Sequence, residues 1–398
     1  MFRLAPRVSI ALACAIGVLA VASIAESAST LMTTGIGGPT GPLETSRHII
    51  FARDVGISAQ LGNRDYWLFG DTYIPASSYT NTPAIFIGGS TAAFSSKIVV
   101  GQAPVDLQEI RVGQLSPNLV PTRFLPQPRS AFVPGANGVA CTGGGSNGRS
   151  IRWITGATAT PATLALNALF VTFETACVQP TTATVEGWGF ALFDTSTNTW
   201  NNITDVMIPT RNGASLPERL RYGWPTFNAD GTVTFFSHAC TRGSVSFLCD
   251  HTTLFSASFP ATLNNLSDKN RYAAVPIMNI NGGMDAALFA MGRSTTNTSS
   301  TFYYLRQSDL GGNVDLYKAT KAVGPYGTVG STSLPGCSGL DTGMFCYALT
   351  PHSELSAPGT LFVTYYVPRG NGQAEHLAAA IIRLPATASS TTTTLRPR

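Results

Sequence analysis

Charge is scarce in this chain. Only 12% of its residues are Asp, Glu, Lys or Arg, and the formal net charge is +4. The arginines are scattered rather than massed, so the basic footprint of a nucleic-acid binder is missing. Long stretches of helical periodicity are hard to find, which speaks against an α-rich fold. After the first 24 residues no other apolar run is long enough to span a bilayer. No Cys-x-x-Cys pair occurs, which removes the usual zinc knuckles. There is no phosphate loop and no His-Glu-x-x-His site. Nothing calls for a cofactor or a metal.

The N-terminus has the layout of a secretory signal peptide. Arg3 and Arg7 precede an apolar run from Val8 to Ile24, and Ala25-Glu26-Ser27 follows with small residues at the cleavage positions. A membrane anchor is the rival reading of the same run. Cleavage is expected, with a mature chain that starts near Ala28, is extracellular and touches no membrane. Of the seven cysteines, Cys14 leaves with the signal. An even set then remains, which favours disulfides in an oxidising compartment. Spacing suggests three pairs: Cys141 with Cys177, Cys240 with Cys249, and Cys337 with Cys346. Residues 387–398, a Ser/Thr-rich run, read as a disordered tail.

What the rest of the chain does contain is short β-rich runs between Gly, Pro, Asn and Asp clusters. Examples are Ala168 to Phe173, Gly189 to Phe193, Thr232 to Phe236 and Thr360 to Tyr366. Several are apolar throughout rather than alternating, as strands buried on both faces are. They fall into five groups, at roughly 47–100, 128–205, 220–260, 272–320 and 325–385. Each group is long enough for the four strands of one blade, so the expected fold is all-β, a five-bladed β-propeller over 47–386. Residues 28–46 are expected to be an N-terminal segment before it. A β-sandwich or a β-helix is the alternative. Ring closure is expected between strands near Leu377–Leu384 and near His48–Ala52, because an open sheet edge is a liability.

One stretch carries chemistry. It runs from Phe51-Ala52-Arg53-Asp54-Val55-Gly56 through Gly62-Asn63-Arg64-Asp65 to Tyr66-Trp67-Leu68-Phe69-Gly70-Asp71-Thr72. It reads as strand, polar turn, strand. Asp54 and Asp71 are thereby placed on neighbouring strands, and Gly56 beside Asp54 is read as leaving room for a ligand. Phe-Gly-Asp-Thr after an aromatic strand resembles the first blade of a family of secreted five-bladed propeller glycosidases. That family, long catalogued as a domain of unknown function, includes mycobacterial endo-D-arabinanases. Tyr222-Gly223-Trp224-Pro225 and the stretch Tyr347 to Ser356 are similar to the same family, in the same order.

The resemblance implies an extracellular glycoside hydrolase that acts on a polysaccharide, such as a furanoside of the arabinan type. Glycosidases use two carboxyl groups, one protonated and one ionised. Asp54 and Asp71 are the candidate catalytic pair, with Asp54 as base or nucleophile and Asp71 as acid. The bland reading of Asp54 is an ion pair with Arg53, and that of Asp71 is a turn cap. Glu174 and Glu186 are possible third carboxyls, with a solvated strand end as the simpler reading of each. Trp224, His352 and Glu354 are candidates for substrate binding, the last two at the channel mouth, and Trp67 is a weaker stacking candidate. The partner would be a glycan and the protein a monomer. A non-catalytic carbohydrate-binding or surface propeller is the competing reading.

Overall fold

The computed structural model describes residues 29–35, 52–74, 85–127 and 149–385, apart from short segments within the last two ranges. The expected signal peptide, Cys141 and the tail lie outside the described residues.

Two short strands come first, β1 (Ser29–Thr30) and β2 (Thr33–Gly35). Next are β3 (Ala52–Arg53), β4 (Gly56–Leu61), β5 (Arg64–Phe69), β6 (Thr72–Ile74), β7 (Ile85–Ile87), β8 (Thr91–Ser95) and β9 (Gln108–Glu109). Blade 1 is the antiparallel sheet β4-β5-β8-β9, and β3, β6 and β7 form a small sheet beside it. Blade 2 is β10 (Arg149–Ala159), β11 (Ala168–Val178), β12 (Ala183–Asp194) and β13 (Thr199–Met207). Blade 3 is β14 (Gly223–Phe227), β15 (Thr232–Arg242), β16 (Cys249–Pro260) and β17 (Val275–Asn281). Blade 4 holds β18 (Ala290–Thr296), β19 (Ser299–Gln307), β20 (Asn313–Ala319) and β21 (Gly327–Ser333). Blade 5 holds β22 (Tyr347–His352), β23 (Thr360–Val367) and β24 (His376–Arg383).

The chain is a five-bladed β-propeller. Its first strands line the axis: β4 touches β10, β10 touches β14, β18 touches β22, and β22 returns to β4. Apolar side chains fill the spaces between blades. Phe170, Phe190 and Phe235 pack between blades 2 and 3, and Phe236, Leu254 and Tyr304 between blades 3 and 4. Burial is continuous along β11 from Ala168 to Cys177, which accounts for its apolar start without alternation, because a blade is covered on both faces. Pro225 and Pro351 sit in innermost strands and Pro276 in an outermost one. These are sheet edges, where a missing N–H is tolerated.

Of the segment near His48–Ala52 expected to close the ring, only Ala52 is among the described residues; β3 pairs with β6 and touches β24, whose outer partner is β2, with Thr33 opposite Ile382. β1 adds parallel to β21 on blade 4. Residues 29–35, within the segment expected to precede the propeller, thus supply outer strands to two blades. Two- and three-residue strands carry no periodic signal in the sequence. Cys240 is bonded to Cys249 and Cys337 to Cys346. Cys177 is also disulfide-bonded.

Candidate active site

The motif folds locally as its pattern requires. Gly62, at φ 63°, and Asn63 turn β4 into β5, and Gly56 faces Phe69 at the far end of the ladder. Asp54 lies just before β4 and Asp71 just after β5. Their backbones remain joined: Asp54 N–H donates to the Asp71 carbonyl at 3.1 Å, and Gly70 N–H to the Asp54 carbonyl at 2.8 Å. The two carboxylates therefore leave the same end of one hairpin, and both residues are half-buried.

Gly70, rather than Gly56, makes room for Asp54. A Cβ on Gly70 would fall 2.2 Å from Asp54 Oδ1. One on Gly56 would fall 2.4 Å from Leu377 Cδ2, so the absent side chain there serves the packing of blade 1 on blade 5. Arg53 is also placed differently from the bland expectation: its guanidinium is buried, donates to Glu109 at 2.6 Å and lies over Phe69.

Residues from other blades converge on the pair. Asp71 Oδ1 accepts from Gly89 N–H at 2.7 Å and from the indole Nε1 of Trp153 at 3.0 Å. Trp153 belongs to β10, the innermost strand of blade 2. Tyr347, which opens β22 in blade 5, donates its hydroxyl to Asp54 Oδ2 at 3.5 Å. Burial pushes the Asp71 carboxyl above its usual range, and the bonds from Gly89 and Trp153 oppose that rise.

Backbone strain gathers here too. Val55 (φ 50°), Trp224 (φ 51°) and Ala348 (φ 57°) are left-handed, and each stands at the entry to an innermost strand. A β-branched or bulky residue in that region is an outlier costing roughly 1–3 kcal/mol. At Val55 and Ala348 the residue just before is Asp54 and Tyr347. The twist thus re-aims the two side chains that meet.

The remaining candidates divide. Trp224 is half-buried and packs with Phe236 and Leu254 at the seam of blades 3 and 4. Glu174 is buried, not solvated as expected, and sits opposite Trp153 in register. Cross-strand partners share a face, so Glu174 lies one strand behind the tryptophan that holds Asp71. The Glu186 side chain is outside the described residues.

His352 and Glu354 are not at the mouth. Tyr347 meets Asp54 at the start of β22, and His352 ends that strand, roughly 17 Å further along at about 3.3 Å per residue. His352 is buried against Trp67, with ring centroids 4.6 Å apart, and its Nε2 pairs with Thr364 Oγ1 at 2.8 Å. Ser58 Oγ bonds both His352 Nδ1 and Glu354 Oε1. Trp67 is fully buried and donates its Nε1–H to Asp65 Oδ2 at 2.8 Å, so it has no face for a sugar. Burial first, and the neighbouring Glu354 second, push Asp65 up to about 8. Burial holds His352 down at about 3 and raises Glu354. These groups form a polar link between blades 1 and 5, buried at Asp65, Trp67 and His352 and part-exposed at Ser58 and Glu354. Among the described residues no group of three or more His, Cys, Asp or Glu side chains is placed to hold a metal ion.

No protein-family model matches the sequence, and no curated protein matches it. Solved structures do. One is a thermostable family-43 glycoside hydrolase, at 12% identity and TM-score 0.45, covering 91% of this chain and 100% of that one. Another is an α-L-arabinofuranosidase from Podospora anserina in complex with cellotriose, at 9% identity and TM-score 0.47, covering 90% and 98%. A third is a family-117 glycoside hydrolase produced by the marine bacterium Zobellia galactanivorans, at 11% identity and TM-score 0.45, covering 90% and 91%.

Proposed function

We propose that the protein is a secreted glycoside hydrolase that cleaves a neutral polysaccharide, a furanoside such as arabinan, with Asp71 as general acid and Asp54 as base or nucleophile. The observation that carries this reading is the asymmetry between two carboxyls at one end of one hairpin. Asp71 is held by two N–H donors, both on Oδ1. Oδ2 is left to carry a proton, and burial favours the protonated form. Asp54 receives a hydroxyl from Tyr347, and the missing side chain of Gly70 leaves room for its Oδ1.

In the reaction Asp71 would give its proton to the leaving glycosidic oxygen as the bond to the anomeric carbon breaks. Asp54 would either take a proton from the attacking water or attack that carbon itself. Trp153 and Tyr347 act as positioning residues, because each fixes one carboxylate from a different blade. Glu174, behind Trp153, is the nearest candidate for a third carboxyl on that side.

Hydrolysis of plant, fungal and bacterial polysaccharides, followed by product analysis, tests the reading. Release of oligosaccharides from a furanoside polymer by the secreted protein is expected. Absence of turnover on every polymer, with glycan binding intact, would favour the non-catalytic carbohydrate-binding propeller instead.

A further inference from the structure

Of all the aromatic residues described, two alone are exposed: Tyr73 (45%) and Phe86 (60%). They are not scattered. Tyr73 on β6 is the direct partner of Phe86 on β7, so the two rings share a face of one ribbon. The ribbon is rooted at the candidate acid. Asp71 immediately precedes β6, and Gly89, whose N–H holds Asp71, follows β7. The bond between Gly89 and Asp71 therefore closes the base of the ribbon. Phe86 leans back toward that base, since a Cβ on Gly88 would lie 3.5 Å from Phe86 Cε1.

The opposite side of the ribbon is anchored. Thr72, Ile74 and Ile87 are buried, and Thr72 Oγ1 bonds Thr91 Oγ1 at 2.8 Å. Ile85 adds a third exposed apolar side chain at 37%. No charged residue occurs in either strand. An exposed, uncharged aromatic pair on a fixed ribbon suits the apolar C–H face of a neutral sugar ring.

We infer that Tyr73 and Phe86 form a glycan-binding platform, a subsite for a neutral sugar ring next to the one cleaved between Asp54 and Asp71. This rests on the reading of the protein as glycan-active. The platform would hold the chain on the Asp71 side, so it would matter for polymers and not for substrates one ring long. The alternative occupant is a second copy of this chain.

The test uses the full-length protein with Asp54→Asn, which stops turnover. Its retardation in native gels containing branched arabinan, arabinoxylan or arabinogalactan is compared with and without Tyr73→Ala and Phe86→Ala. Loss of both rings is expected to weaken binding about tenfold. The melting temperature should be unchanged, because both rings are exposed. Unaltered retardation, or no retardation by any of the three polymers, would overturn the platform. Sedimentation of the same proteins covers the other occupant: a dimer that dissociates in the double variant, with glycan affinity intact, also overturns it. Turnover of wild-type and Tyr73→Ala/Phe86→Ala chains on the same polymers separates this from the hydrolase reading. Hydrolysis indifferent to the rings sinks the platform alone, and ring-dependent binding without hydrolysis sinks the hydrolase alone.

Discussion

The β4–β5 hairpin carries an acid group at each end, and the two ends have opposite characters. At one end stand Asp54 and Asp71, half-buried, with Trp153 bonded to one and Tyr347 to the other. At the other end stands Asp65, 1% exposed, bonded to Trp67 and electrostatically coupled to Glu354 beside His352. Both ends pair a carboxylate with a tryptophan N–H, and both push a carboxyl pKa upward by burial. By perturbation alone the Asp65 end would be the stronger candidate for chemistry. We favour the Asp54–Asp71 end because both of its carboxylates are part-exposed and backbone strain gathers beside it, whereas Asp65 is buried. Asp54 and Tyr347 precede left-handed residues at strand entries and are reached from three blades, whereas blade 5 packs on the Asp65 end. Perturbed titration marks polar groups in low dielectric, and only an opening to substrate turns them into a site.

The largest effect that would sharpen the contrast comes from Gly70→Ala. The new methyl would need the space of Asp54 Oδ1, 2.2 Å away. Moving a carboxylate by about 1 Å costs on the order of 100-fold in kcat. Steady-state kinetics of a folded Gly70→Ala protein that kept wild-type turnover would remove Asp54 from the mechanism.

At the Asp65 end the expected loss is in stability. Ser58→Ala takes away the hydroxyl that joins His352 and Glu354. Leaving buried polar groups without that partner costs about 1–3 kcal/mol. Chemical denaturation should register it while kcat stays near wild type.

The two ends should also differ in pH response. Burial pushes Asp65 up to about 8 from the ordinary 3.8, so the folded state holds a proton that the unfolded chain has released. Its contribution is greatest at low pH and declines as pH rises from about 4 to about 8, by at most about 1.4 kcal/mol per pH unit. Asp65→Asn has no such proton to lose. Relative to wild type, it should therefore gain stability between pH 5 and pH 9 in urea titrations, on the order of those units. A constant difference across that range would show that Asp65 is ionised when buried.

The smallest shift is expected from Trp153→Phe. Its indole N–H favours the ionised form of Asp71, so its loss should raise the Asp71 pKa further. The alkaline limb of kcat/KM should then move to higher pH, by about one unit or less. A shift to lower pH would reverse the assigned role of that hydrogen bond.

The juxtaposition of Asp54 and Asp71 was legible because both lie in one short motif whose strand–turn–strand pattern is local. The number of strand groups and the pairing of Cys240 with Cys249 and Cys337 with Cys346 were legible for the same reason, but the groups at 272–320 and 325–385 each start one strand early, because β17 completes blade 3 and β21 belongs to blade 4. Trp153 and Tyr347 were not read as partners of the acids, since they meet them across separations of 82 and 293 residues. Nothing within Ile151 to Thr155 announces that an indole N–H will point to another blade. His352 and Glu354 looked like a turn at the mouth because the sequence shows a Pro-His-Ser-Glu run but not which end of β22 it occupies. The β1 and β2 strands were missed because their stability comes from the blades they join rather than from any pattern of their own.

We propose that chemistry belongs to the Asp54–Asp71 end of the hairpin and stability to the Asp65 end. Measuring kcat and melting temperature together on Asp71→Asn and Asp65→Asn tests it most directly. Carboxamide and carboxylate have nearly the same shape, so packing is kept in both. Asp71→Asn should lose about 100-fold or more in kcat with little change in melting temperature. Asp65→Asn should keep its turnover while its stability profile with pH changes. Full activity in Asp71→Asn, or an equal loss of turnover in both variants, would contradict the account.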